Sequence, residues 1–111
     1  ELSVIADKYF NENNHKKSIE NFLKAIEIDP YEHAYYESLA LSYQKLGDTI
    51  NAYKYFDIVI DSLNPKTGKS EFYKGVNLIK EKEYKKGCDL LNKSFNYGFP
   101  GAINVIKSYC N

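Results

Sequence analysis

Apolar residues recur at helical spacing along nearly the whole chain. Leu2, Ile5, Ala6 and Tyr9 follow an i, i+3, i+4, i+7 pattern. After the polar break Asn13-Asn14-His15 the pattern resumes with Ile19, Phe22, Leu23, Ala25, Ile26 and Ile28, and it stops at Asp29-Pro30. A third stretch carries Tyr35, Tyr36, Leu39, Ala40, Tyr43 and Leu46, and it closes at Gly47. Asp48 or Thr49 can cap the fourth, which runs from Ala52 through Tyr55, Phe56, Val59, Ile60 and Leu63 to Asn64-Pro65. Further helices are predicted around Phe72–Lys80 and Tyr84–Phe95. Pro100 is placed in the first turn of a last helix containing Ala102, Ile103, Ile106, Tyr109 and Cys110. No segment alternates with period two, so the expected class is all-α, with seven short helices.

The pattern also repeats. A shift of 34 residues lays Ile5 on Leu39, Ala6 on Ala40, Tyr9 on Tyr43, Ser18 on Ala52 and Phe22 on Phe56. A further shift of 35 lays Ala40 on Gly75, Ala52 on Gly87 and Phe56 on Leu91, and prolines stand at 30, 65 and 100. Two helices per unit, small residues at fixed places and a closing proline describe stacked helical hairpins. One such hairpin cannot bury its own apolar face, so stability must come from its neighbours.

Across essentially its whole length the chain resembles the tetratricopeptide repeat. The second unit matches best, through Tyr36, Leu39-Ala40, Tyr43, Gly47-Asp48, Ala52, Phe56 and Pro65. In the first unit Asn13 stands where Gly47 does, and asparagine tolerates the left-handed conformation that a helix end needs. The third unit departs, with Lys74 and Leu78 replacing the usual leucine and tyrosine. Its end, from Gly87-Cys88 to Tyr109-Cys110, looks like the closing unit of bacterial tetratricopeptide or Sel1-like proteins. The resemblance implies a right-handed superhelical solenoid in a single domain, with repeats at about 1–32, 33–66 and 67–99 and a capping helix at 100–111. On that cap Ala102, Ile103, Ile106 and Cys110 would face inward, with Asn104 and Lys107 toward water.

The resemblance also implies a non-catalytic scaffold that takes a protein or peptide segment on the first helix of each hairpin. Positions beside the packing residues there are Ser3, Asp7, Phe10 and Asn11 in the first hairpin, and Glu37, Leu41 and Gln44 in the second. The third supplies Phe72, Val76, Ile79 and Lys80, although its irregularity leaves a core role open for Phe72 and Ile79. The alternatives are a self-associating module of a longer array (a homo-oligomer) and a regulatory domain of a larger protein.

Composition narrows this picture. The chain has 111 residues and a net charge of zero, with 43% hydrophobic and 27% charged residues, which suits a folded domain. Without a basic block it lacks the footprint of a nucleic-acid binder, and no apolar run nears the ~18 residues of a membrane span. All fifteen basic residues are lysine. Bidentate guanidinium recognition of a carboxylate is therefore outside its means. Within the family, some arrays grip a terminal carboxylate with lysine, asparagine and arginine. Here Ser3, Asp7, Ser38 and Leu41 stand on the corresponding surface, and Asp7 would repel such a ligand. The absence of methionine, even at position 1, suggests a processed chain or a piece of a longer one, which leaves the compartment undetermined between cytoplasmic and exported.

Enzyme chemistry finds no support. His15 and His33 lack a carboxylate or cysteine at ligand spacing, so no metal is expected. Asp57 and Asp61 share a helix face without a catalytic partner, and no phosphate loop, GxSxG or HExxH is present. No cofactor is expected. Cys88 and Cys110 fall at comparable heights on helices that should run antiparallel. Two buried hydrophobes or a disulfide across the cap both fit, and the latter needs Cα atoms within about 7 Å.

Overall fold

The computed structural model describes residues 1–110, and among these every regular element is helical. The elements are α1 (Leu2–Asn11), α2 (His15–Ile28), α3 (His33–Lys45), α4 (Thr49–Asp57), α5 (Lys69–Lys80), α6 (Tyr84–Asn96) and α7 (Ala102–Tyr109), with a π-helical turn (Ile58–Leu63) continuing α4. The chain divides into two compact units, Glu1–Leu63 and Asn64–Asn111.

In the first unit α1 packs on α2, α2 on α3, and α3 on α4 and the π turn. Its core joins Ala6, Ile19, Phe22 and Leu39, with Ile26, Tyr35, Tyr43 and Tyr55 packed against it. The two hairpins are also linked through a buried serine pair, Ser18 Oγ to Ser42 Oγ at 3.1 Å. The Ser42 hydroxyl donates to the Ser38 carbonyl at 3.0 Å, so the Ser18 hydroxyl is the donor to Ser42. In the second unit α5 packs on α6, and α6 on α7. Ala102 of α7 is buried, whereas Asn104 and Lys107 are exposed.

Local chemistry explains the ends. Asn14 accepts from the Lys17 amide to cap α2, and Asp48 accepts from the Asn51 amide to cap α4. The turns inside the hairpins share one device. The amides of Asn14, Asp48 and Glu83 donate back to the carbonyls of Tyr9, Tyr43 and Leu78, and the preceding residue is left-handed each time. That residue is Asn13 (φ 62°), Gly47 (φ 80°) and Lys82 (φ 64°).

Two boundaries differ from expectation. Helix α5 begins at Lys69, a turn before Phe72, because left-handed Gly68 starts it and Thr67 Oγ1 accepts from the Lys69 amide. Pro100 lies outside α7 rather than in its first turn, since left-handed Gly101 intervenes. The π turn also has a sequence reason. Pro30 and Pro65 are 35 residues apart while Phe22 and Phe56 are 34 apart, so the second hairpin carries one extra residue before its proline. A π turn takes up one extra residue without breaking the helix, and Val59 and Ile60 stay buried.

Candidate functional site

The expected binding positions lie on α1 and α3 of the first unit and on α5 of the second. Asp7 and Asn11 are exposed on α1, and Phe10 is half-buried. Phe10 is held by an edge-on contact with His15, ring centres 5.0 Å apart. His15 Nδ1 is buried without a hydrogen-bond partner, so this imidazole serves as a packing ring. On α3, Leu41 and Gln44 are half-buried and remain accessible. Glu37 is not: it is 3% exposed, which removes it from the accessible face.

On α5, Phe72 and Val76 are half-buried and Lys80 is exposed. The Phe72 ring packs against Tyr73 (5.3 Å) and Phe99 (5.0 Å), so its aromatic face is already committed within the second unit. Ile79, one of the two candidates for which a core role stayed open, belongs to the core and not to the accessible surface, at 7% exposure. Its Cδ1 reaches 2.9 Å from where a Gly87 Cβ would stand, so a glycine on α6 makes the room that draws it inward. The accessible set is therefore Asp7, Phe10 and Asn11, then Leu41 and Gln44, then Val76 and Lys80, with Phe72 presenting a partial edge.

The tyrosines that periodicity placed on the inner faces of α3 and α4 form a cluster. The Tyr43 and Tyr55 rings stack 5.7 Å apart at 1°, and the Tyr36 hydroxyl donates to the Pro30 carbonyl at 2.8 Å. Burial raises the phenol pKa of both Tyr36 and Tyr43, reinforced by Tyr55 and then by Asp29 near Tyr36 or Asp48 near Tyr43.

Other groups are placed as follows. His33 Nδ1 lies 3.8 Å from Glu32, and no group of three or more His, Cys, Asp or Glu among the described residues could hold a metal ion. Asp57 ends α4 and Asp61 falls in the π turn, so the regular spacing that would give them one face is interrupted. Cys88 and Cys110 are both half-buried and joined in a disulfide, with Cα atoms 5.6 Å apart, rather than packed as separate buried thiols. No described helix is long and apolar enough to cross a membrane.

Paired helices, small residues at the crossings and left-handed turns at a 34–35-residue spacing describe a helical repeat fold of the tetratricopeptide type. The tetratricopeptide repeat family model matches residues 3–32, which span α1 and α2. Among solved structures, the first tetratricopeptide domain of Spaghetti (RPAP3) bound to HSP90 peptide SRMEEVD matches with a TM-score of 0.86 at 17% identity. That match covers 97% of this chain and 86% of the other. The first such domain of human RPAP3, solved by NMR, gives the same values. The Sgt2 domain from Aspergillus fumigatus gives a TM-score of 0.79 at 20% identity, over 94% of this chain and 70% of that one. The chain thus has the tetratricopeptide-repeat fold. No curated protein sequence matches it.

Proposed function

We propose that this chain is a non-catalytic scaffold that binds a peptide or protein segment on the first helices of its hairpins. The observation that carries the reading is Leu41. It is an apolar side chain left accessible on α3 while Leu39 and Ala40 beside it are fully buried. An accessible apolar residue next to a rigid, fully packed register is a pre-organised contact, and its helix has no mobile loop to order on binding. The Spaghetti domain with this fold was solved with an acidic HSP90 peptide. This chain brings no arginine and places exposed Asp7 on α1, so its ligand is held by apolar and polar contacts and not by a clamp on a terminal carboxylate.

The test is affinity for partners captured from the source lysate, compared between the parent chain and Leu41→Glu or Val76→Glu. Loss of at least one partner at unchanged helicity supports the reading. Unaltered capture by both variants refutes it. Self-association is the second reading, favoured by Val4, Ile5 and Ile50, which are exposed despite being large and apolar. Sedimentation over a concentration series decides it, because a persistent monomer excludes it.

A further inference from the structure

The two cysteines of the chain lie on different elements and meet. Cys88 is in the second turn of α6, and Cys110 directly follows α7. Their Cα atoms stand 5.6 Å apart, across a sequence separation of 22. A redox-active pair is typically marked by close spacing, as in Cys-X-X-Cys, where a single turn presents both thiols in either state. Here the partners stay in register only while α7 is docked on α6, so the bond serves to hold that helix.

Helix α7 has little else to hold it. It has eight residues, and Ala102 is the buried one. Ile103, Val105 and Ile106 are only half-buried, and the link back to α6 carries left-handed glycines at Gly98 and Gly101. The sulfurs are also within reach of dissolved thiols. Both cysteines are half-buried, and Cys88 is flanked on α6 by exposed Lys85 and Asp89. A bond that fastens an element and yet lies open to reductants does not persist against the thiol pool of a reducing cytosol.

We propose that this chain is exported and works in an oxidising compartment, where a protein thiol oxidase installs the Cys88–Cys110 bond. The step is thiol–disulfide exchange. One cysteine of the chain attacks the oxidase's disulfide, forming a mixed disulfide and releasing one oxidase thiol. The other cysteine then attacks its partner's sulfur, which closes the bond and releases the second oxidase thiol. Two electrons and two protons pass to the oxidase, which ends as a dithiol. The proposal does not depend on the binding reading of α1, α3 and α5.

The test is thiol trapping on the full chain. Source cells are quenched in acid, and free thiols are capped with light N-ethylmaleimide in denaturant. The protein is then reduced and capped with the heavy reagent, and the peptides holding Cys88 and Cys110 are read by mass spectrometry. Heavy label at both is expected, and light label at both would overturn the proposal. The chain is also made in a bacterial host with and without an export leader. The exported form should carry heavy label and the leaderless form light label. In a host lacking its periplasmic thiol oxidase, the heavy fraction of the exported form should fall several-fold. A bond formed equally in the leaderless chain would overturn the assignment to an oxidising compartment. A bond indifferent to loss of the oxidase would overturn the assignment of that partner.

Discussion

Gly75 and Gly87 meet backbone to backbone where α5 crosses α6. A Cβ on Gly87 would lie 2.9 Å from the Gly75 carbonyl oxygen, and one on Gly75 would lie 3.1 Å from the Gly87 carbonyl oxygen. The same two registers hold Ala6 with Ser18 in the first hairpin and Ala40 with Ala52 in the second, so the third hairpin has the smallest pair. Ile79 and Leu91 close over this crossing and have set their positions to the absence of a methyl group. Gly87→Ala is therefore expected to destabilise the second unit by about 1–3 kcal/mol, as overpacking against backbone does. Gly75→Ala should cost less, because its nearest neighbour is the Leu91 side chain, which can give way. Urea denaturation of both variants checks the order, and equal or negligible costs would contradict the close approach.

Lys82 occupies the left-handed position that Gly47 fills one hairpin earlier, at φ 64° against 80°. A β-carbon in that region costs roughly 1–2 kcal/mol, partly offset in glycine by the greater freedom of its unfolded chain. Lys82→Gly should raise stability by up to about 1 kcal/mol and the melting temperature by a few degrees. The exposed lysine makes this a clean comparison, since no packing is lost. An unchanged or lowered midpoint would count against the backbone argument.

The Cys88–Cys110 bond ties the C-terminal end of α7 to α6, across 22 residues of chain. Helix α7 has eight residues and buries only Ala102 completely, so it depends on this tie more than the longer helices would. Loop-closure entropy for that separation is worth about 3 kcal/mol. Replacing both cysteines by serine should lower the melting temperature and speed amide exchange in α7 ahead of α1–α4. The denatured chain without reductant should present no titratable thiol, and a count of two would exclude the bond.

Tyr36 and Tyr43 make stability sensitive to alkali. Both phenols are held above their ordinary value of 10.0 in the folded chain, by burial first and by neighbouring Tyr55 second. A raised folded pKa means that the folded state keeps its protons after the unfolded state has released them. The associated stability is whole below pH 10 and is lost as pH rises beyond it toward the folded values. Denaturation midpoints should hold level up to about pH 9 and then fall, and Tyr43→Phe should flatten the decline. A decline identical in parent and variant would assign it to other groups.

Much of the fold was legible in the residues because helical packing is a local code. The 3.6-residue period, the small residues at 6, 18, 40, 52, 75 and 87, and the prolines at 30, 65 and 100 state which faces must be covered. The left-handed Asn13 followed from its alignment with Gly47. The candidate surface was legible only in part. Asp7, Asn11, Leu41 and Val76 were placed on accessible positions because the regular register put them one step from the core. Glu37 stood at an equivalent step yet is buried, and Ile79 could not be told between surface and core, since the burial of both depends on what a neighbouring helix offers. Gly87 leaves room for Ile79, and no pattern on α5 reports a vacancy on α6.

By itself the sequence determined the all-α class, the hairpin spacing and the turn chemistry, which are set by periodicity and by backbone preferences acting over a few residues. Tertiary structure decided the rest. It joined Cys88 to Cys110, buried Glu37 and Ile79, and turned one surplus residue into a π turn. Each of these is a matter of volume between elements, and volume is set by residues far apart in the chain that meet only once it has folded.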